Sequence, residues 1–128
     1  MEKTMQCAVR LVATLLLCAL LSCTCDYTVG ERAASPSFKY AAITKGIGCG
    51  ATVSYQSIVL IERPYRILGH SVWTASSGIF TAKVNLYQLK IHWADDHRLV
   101  VDCQCKKEDV GSKDSQWRDV TVEYRFSQ

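Results

Sequence analysis

The stretch LYQLKIHWADDHRLVVDCQCKK, residues 86–107, decides the fold, because it contains two strand-like runs joined by a short polar turn. In LYQLKIHW, apolar and polar residues alternate, so that Leu89 and Ile91 share one face while Lys90 and His92 share the other. An alternation of period two is typical of a strand with one buried face. The run HRLVVDC follows after Ala-Asp-Asp, where aspartate is favoured by turn chemistry. The stretch therefore predicts an antiparallel hairpin.

Working outward, the chain predicts further strands on both sides of this hairpin. The segment DVTVEYRF (119–126) alternates in the same way, and KKEDVGSKDSQ (106–116) before it is typical of a polar loop. Earlier in the chain, strands are predicted at 66–73 and 78–84, separated by the turn-like TASS, and a first strand at 38–43. The polar segment before residue 38 is typical of a loose lead-in.

The segment SYQSIVLIER, residues 54–63, is the ambiguous element of the chain. Ser54 is a good helix N-cap, and Tyr55, Ile58 and Glu62 recur at helical spacing before Pro64 ends the run. Its β-branched residues also allow a strand. A helix here gives the expected fold class, α+β with one short helix packed on an antiparallel β-sheet. A strand gives the alternative, an all-β immunoglobulin-like sandwich.

The N-terminal segment, residues 1–25, predicts a secretory signal peptide. Lys3 and Arg10 precede the apolar run LVATLLLCALLSC, and small residues follow it. The run is shorter than the roughly 20 apolar residues that span a bilayer. A membrane anchor and a bacterial lipoprotein box, LLSC with Cys23 as the lipidated residue, are alternatives. The expected product is a single small secreted domain, residues 26–128, without stable membrane association after cleavage.

The charge of the chain is close to balanced. The formal net charge is +3, and leaving out Lys3, Arg10 and Glu2 of the leader lowers it to +2. This balance gives no bulk electrostatic argument for nucleic acid. The lack of a basic amphipathic helix argues against a membrane-active toxin.

The cysteines of the secreted domain predict disulfides, because an exported chain passes through an oxidising compartment. The candidates are Cys49, Cys103 and Cys105, with Cys25 added if cleavage precedes it. Cys103 and Cys105 lie two residues apart on an expected strand, where a bridge between them would be strained. We therefore expect Cys49 to pair with one of them. The other then pairs with Cys25, pairs between chains or stays free.

The sequence offers weak candidates for chemistry. Cys103 and Cys105 with His92 or His97 could hold zinc, but this spacing is unusual for zinc and oxidation competes with it. His92 and His97 could act as an acid and base pair, although histidines at strand ends are commonly solvated residues. We expect no metal, no other cofactor and no catalytic residues.

Three segments resemble the small fungal guanyl-specific ribonucleases. They are GCGATVSYQSI (48–58), LYQLKI (86–91) and ADDHRLVVDCQC (94–105). They are closer still to the secreted ribonuclease-like effectors of powdery mildew and related plant-pathogenic fungi. The resemblance implies a microbial ribonuclease-like fold and a match between Arg98 and the phosphate-neutralising arginine of those enzymes.

The same resemblance implies that the chemistry is lost. Gln88 stands where the active enzymes have the glutamate that acts as general base, and an amide cannot accept a proton at useful pH. The loop that supplies their general acid has no equivalent, since residues 106–116 contain no histidine.

The sequence thus leaves several functional hypotheses open. The first is a non-catalytic secreted virulence effector that binds host RNA or a host protein to suppress immunity, with entry into host cells left open. The second is a secreted immunoglobulin-like immune modulator, for example viral, that binds a host protein. An active ribonuclease using the histidines is a further alternative. The binding surface expected for the effector contains Gln88, Lys90, His92 and Arg98.

Overall fold

The computed structural model describes residues 2–20, 24–50 and 53–128. Helix α1 spans Glu2–Leu20, and the helices within the described residues are too short or too polar to cross a membrane. The remaining regular structure is almost entirely β. The described strands are β1 Asp26–Ala34, β2 Ala41–Gly48, β3 Gln56–Ile67, β4 His70–Ala82, β5 Leu89–Asp95, β6 Arg98–Gln104, β7 Val110–Lys113, β8 Gln116–Trp117 and β9 Val120–Ser127.

These strands form two sheets. Sheet A has the order β1-β2-β3-β4-β7 and is antiparallel throughout. Sheet B has the order β5-β6-β9-β8, and its central pair β6–β9 is parallel. Sheet B is therefore mixed, whereas immunoglobulin sandwiches are built from antiparallel sheets.

The hydrophobic core lies between the two sheets. Sheet A contributes Ile61 and Phe80, which are fully buried, and sheet B contributes Leu89, Leu99 and Val101. Phe80 stacks on the ring of Tyr124 from β9 at a centroid distance of 5.3 Å. Burial of this apolar face is the main contribution that holds the sheets together.

Residues 56–63 of the ambiguous segment 54–63 lie in strand β3, and the expected α+β class is therefore wrong. Ser57, Val59 and Ile61 are fully buried while Ile58 and Leu60 are only partly so, which is the period of a strand. Pairing with β2 on one side and β4 on the other supplies the backbone hydrogen bonds that a helix would have made internally. The architecture of two packed sheets is closer to the all-β alternative than to a helix on a sheet.

The disulfides also differ from the expected pairing. Cys25 bonds to Cys49, and Cys103 bonds to Cys105. Asp26 pairs with Gly48 in the β1–β2 register, so the cysteines just outside this pair face each other. Strand β6 ends at Gln104, so Cys105 is released from the pleat that would have separated it from Cys103.

Three other segments form strands where the sequence predicted loops or turns, and one of them is residues 110–113 of the expected polar loop 106–116, which form β7. Residues 26–34, expected as a loose lead-in, form the edge strand β1. This strand is joined to β5 of the other sheet: the Ile91 amide donates to Glu31 and the Trp93 indole donates to the Ala33 carbonyl at 2.9 Å. The expected TASS turn lies inside β4, because the chain reverses earlier, at Leu68-Gly69. By contrast β5, β6 and β9 agree with prediction within a few residues.

Candidate functional site: the outer face of the four-stranded sheet

The predicted residues Lys90 and His92 lie on the face of sheet B that points away from the core. Leu89 and Ile91 alternate with them on β5 and are buried, so the pleat places the two polar side chains outward. On the neighbouring strand β6, Asp102 is on the same face. We call this surface the outer face of sheet B.

The outer face contains a row of opposite charges across three strands. Lys90 is directly opposite Asp102, and Asp102 is directly opposite Arg125 of β9. His92 also approaches this carboxylate, with Nδ1 3.5 Å from Asp102 Oδ2. Arg125 donates from Nε to Glu123 at 2.9 Å, and this bond raises the pKa of the guanidinium further. Exposed pairs of this kind add little stability to the fold.

Val100 lies in the middle of the outer face. It is flanked in register by His92 and Glu123, and it is outside the core cluster that includes its neighbours Leu99 and Val101. Only 1% of Val100 is exposed. The charged side chains around it therefore cover it, and the surface of the outer face is polar at this point.

Arg98 lies at the edge of this face, where β6 begins. Its Nε is 3.9 Å from Asp95 Oδ2, and 54% of its side chain is exposed. The separation is too long for a direct hydrogen bond. The planar guanidinium is therefore available to a carboxylate or phosphate partner.

Gln88, another of the predicted binding residues, lies just before β5. It closes a short 3-10 turn before β5, where its Oε1 accepts from the Asn85 amide at 3.0 Å and its Nε2 donates to the Gln104 carbonyl at 2.9 Å. Both halves of the amide are thus used to fix the entry into sheet B. Its role in the structure is to hold this connection.

A second polar cluster, missed by sequence reasoning, surrounds Asp119 in the turn between β8 and β9. Its carboxylate accepts from Lys39 Nζ at 2.6 Å and from the Tyr40 hydroxyl, and His97 Nδ1 lies 3.2 Å away. The hydrogen bonds from Lys39 and Tyr40 hold the pKa of Asp119 well below its usual range. The hydrogen bond to Asp119 in turn raises the pKa of Lys39, while burial is the largest cause of the raised pKa of Tyr40. We call these four residues the Asp119 cluster.

The Asp119 cluster joins three turns at one end of the sandwich. Tyr40 belongs to the β1–β2 connection, His97 to the β5–β6 turn and Asp119 to the β8–β9 turn. The Tyr40 ring is stacked on the Trp93 ring at a centroid distance of 6.3 Å and meets the Trp117 ring edge-on at 5.3 Å. The alternation of 119–126 marked Asp119 as an outward residue, but no sequence signal linked it to a lysine and tyrosine nearly eighty positions earlier.

Cys103 and Cys105, the proposed zinc ligands, are buried and bonded to each other in a disulfide, so neither has a thiolate to offer to a metal ion. Within residues 2–20, 24–50 and 53–128, no group of three histidine, cysteine, aspartate or glutamate side chains is arranged to hold a metal ion. His70 lies at the tip of the β3–β4 hairpin, outside sheet B and its turns, where the other two histidines lie.

A shallow cleft of about 330 Å³ opens beside β7 and β9. It is lined by Lys107, Val110, Lys113 and Phe126 with two small residues of β7, and Lys113 Nζ lies 5.7 Å from the centre of the Phe126 ring. The cleft contains none of the predicted site residues. It is therefore separate from both the outer face of sheet B and the Asp119 cluster.

No family model, no curated protein and no solved structure matches the chain.

Proposed function

We propose that this chain is an exported, disulfide-bonded β-sandwich that acts as a non-catalytic binding module for another protein, through the outer face of sheet B. The observation that carries the proposal is the pattern of alternating charges across β5, β6 and β9, in which Asp102 lies between Lys90 and Arg125. A charge pattern of this kind gives electrostatic specificity in the recognition of a partner protein.

Export is supported by two independent features. The N-terminal segment has the order of a signal peptide, with basic residues before the apolar run of α1. The Cys25–Cys49 and Cys103–Cys105 bonds require an oxidising compartment to persist.

A protein partner is favoured over RNA because the cationic side chains on the outer face lie next to carboxylates. Lys90, His92 and Arg125 all lie beside Asp102 or Glu123. Binding to a phosphate backbone is driven by cations that can neutralise phosphates and release counterions, which neighbouring carboxylates oppose. The fold points the same way, because the strand at 54–63 removes the helix on which a ribonuclease-like binding mode depended. Among the hypotheses from the sequence, binding of a host protein is therefore the one we retain.

The proposal is tested by site-specific photo-crosslinking of the full chain in extracts of the source and of its host. A photoreactive amino acid replaces Lys90 on the outer face, and in a control it replaces Lys83, which is exposed in the β4–β5 connection. We expect a discrete crosslinked protein with the Lys90 probe that is absent with the Lys83 probe. The Asp102→Lys substitution should abolish this product, because it reverses the central charge of the row.

An RNA titration with a parallel cleavage assay gives the contrary outcome. We expect neither binding nor cleavage at physiological salt. RNA binding that is weakened by Arg98→Ala would overturn the choice of partner, and cleavage would overturn the non-catalytic role. Once a protein partner is identified, Arg98→Ala should lower its affinity; equal affinity would remove Arg98 from the interface.

A further inference from the structure

The β3–β4 hairpin extends beyond the rest of sheet A as a two-stranded arm. Strand β2 pairs with β3 only as far as Glu62, and β7 pairs with β4 only from Phe80 onward. The segment from Arg63↔Thr74 to Ile67↔His70 is paired only within the hairpin in the described ladders. At about 3.4 Å per residue, the arm reaches roughly 15 Å past the body of the sheet.

The tip of the arm is a two-residue turn with an unusual residue in it. Leu68 and Gly69 have φ of 50° and 81°, as a type I′ turn requires at both central positions. Asparagine, aspartate and glycine are favoured there, whereas a left-handed conformation is costly for a bulky residue. Leu68 is also 95% exposed. The fold gains nothing from this leucine, so its apolar side chain points to a contact outside the chain.

An apolar strip continues from the tip towards the domain. Tyr65 is directly opposite Val72, and Ile67 lies two residues further along the same face. These three side chains are about half exposed, at 50%, 46% and 51% respectively. The strip and Leu68 together form a continuous exposed apolar surface on a thin projection.

The charge of the arm is entirely positive. The sequence contains no acidic residue between Glu62 and Asp95, and the arm contains Arg63, Arg66 and His70. On the face of the strip, the order on β3 from the tip inward is aliphatic Ile67, aromatic Tyr65 and basic Arg63, with His70 opposite Ile67. The same order is met on passing from the acyl chains of a bilayer through its interface to anionic headgroups.

We propose that this arm docks on an anionic phospholipid bilayer, with Leu68 and Ile67 entering the acyl boundary, Tyr65 at the headgroup level and Arg63 among the phosphates. Interfacial elements bury to about 5–10 Å, which the length of the arm allows. A second copy of the chain fits less well, because Pro64 has no N–H to offer to an added strand. This inference goes beyond the proposed function, since it concerns a lipid surface and a different part of the fold.

The first test compares partitioning of the full chain onto vesicles of phosphatidylcholine alone and of phosphatidylcholine with phosphatidylglycerol. Leu68→Asn is the informative variant, since asparagine suits the left-handed turn and should fold at least as well. Tyr87→Asn is the matched control, because Tyr87 is 73% exposed at the opposite end of the domain. We expect the anionic vesicles to be preferred and Leu68→Asn to lower the partition coefficient about tenfold, with no change in the control.

The second test distinguishes membrane insertion of the arm from membrane insertion of α1, since α1 is present in every variant. Leu68→Trp and Tyr87→Trp are bound to anionic vesicles whose acyl chains are brominated, and the loss of tryptophan fluorescence is measured relative to the wild-type chain, which has Trp73, Trp93 and Trp117. We expect additional quenching for Leu68→Trp and no additional quenching for Tyr87→Trp. Unchanged partitioning of Leu68→Asn, or equal quenching of both tryptophans, overturns the proposal. So does a Leu68-dependent dimer in sedimentation without lipid, which would assign the arm to a second copy.

Discussion

Replacement of Tyr40 measures how far the Asp119 cluster contributes to the fold. Tyr40 is 6% exposed, its hydroxyl donates to Asp119, and its ring contacts Trp93 and Trp117. Tyr40→Phe removes only the hydroxyl. A hydrogen bond to a charged group contributes about 1.5–3 kcal/mol, but the acceptor is half exposed and water can replace the donor, so we expect a loss of about 1 kcal/mol.

Tyr40→Leu removes the ring as well as the hydroxyl. Each of the two aromatic contacts contributes about 0.5–1.5 kcal/mol beyond its area, so the total loss should approach about 3 kcal/mol. For a domain of this size, 1 kcal/mol corresponds to a change of about 4–8 °C in Tm. The assay is equilibrium urea unfolding followed by tryptophan fluorescence, because Trp93 and Trp117 report on this end of the sandwich. Tyr87→Phe, at an exposed tyrosine, is the control and should be close to wild type.

The pH dependence gives this prediction a second readout. Because the folded-state pKa of Asp119 is lowered from 3.8, its contribution is fully present above pH 3.8 and is lost as the pH falls through the folded-state pKa. The difference between wild type and Tyr40→Phe should therefore be constant from pH 7 to about 4 and shrink below that. Equal losses for Tyr40→Phe and Tyr40→Leu, or a Tyr40→Phe variant as stable as wild type at pH 7, would refute the reasoning.

Three further predictions concern the core, the first disulfide and alkaline stability. Phe80→Ala should lower the free energy of unfolding by about 3–5 kcal/mol in urea titrations, because Phe80 is fully buried between the sheets. Replacing Cys25 and Cys49 together by alanine should cost about 3 kcal/mol on the loop-entropy model, measured against the oxidised wild type, since their bond closes a separation of 24 residues. Burial raises the pKa of Tyr124 to about 12 from 10.0, so the stability that it contributes is complete below pH 10 and is lost between pH 10 and 12. Tyr124→Phe should lack that alkaline loss, which urea midpoints at pH 9 and 11 will show.

The hairpin at the centre of the sequence was predictable because its signals are local. The alternation in β5 and β9 reflects one buried and one solvated face, and this period can be read without knowledge of the partner strands. The outward positions of Lys90 and His92 followed from the same period. For these elements the local pattern and the tertiary environment agree.

The segment 54–63 could not be assigned by pattern, because its two periods compete. Ser54, Tyr55 and Ile58 fit a helix, while Val59 and Ile61 fit a strand that is buried between two neighbours. The choice between helix and strand depends on pairing with β2 and β4, which lie on either side of β3. A local pattern within 54–63 contains no information about these neighbours. The Asp119 cluster was missed for the same reason, since its members come together only through the sheet topology.

The parallel pairing of β6 with β9 determines when the domain can be completed during synthesis. Strand β9 lies between β6 and β8 in sheet B, so β6 has only β5 as a neighbour and β8 is unpaired in the described sheet until β9, the last described strand, has emerged. Non-local pairing of this kind slows folding. For the exported chain that we propose, this delay would keep the domain open while it is threaded through a translocation channel, before its core closes.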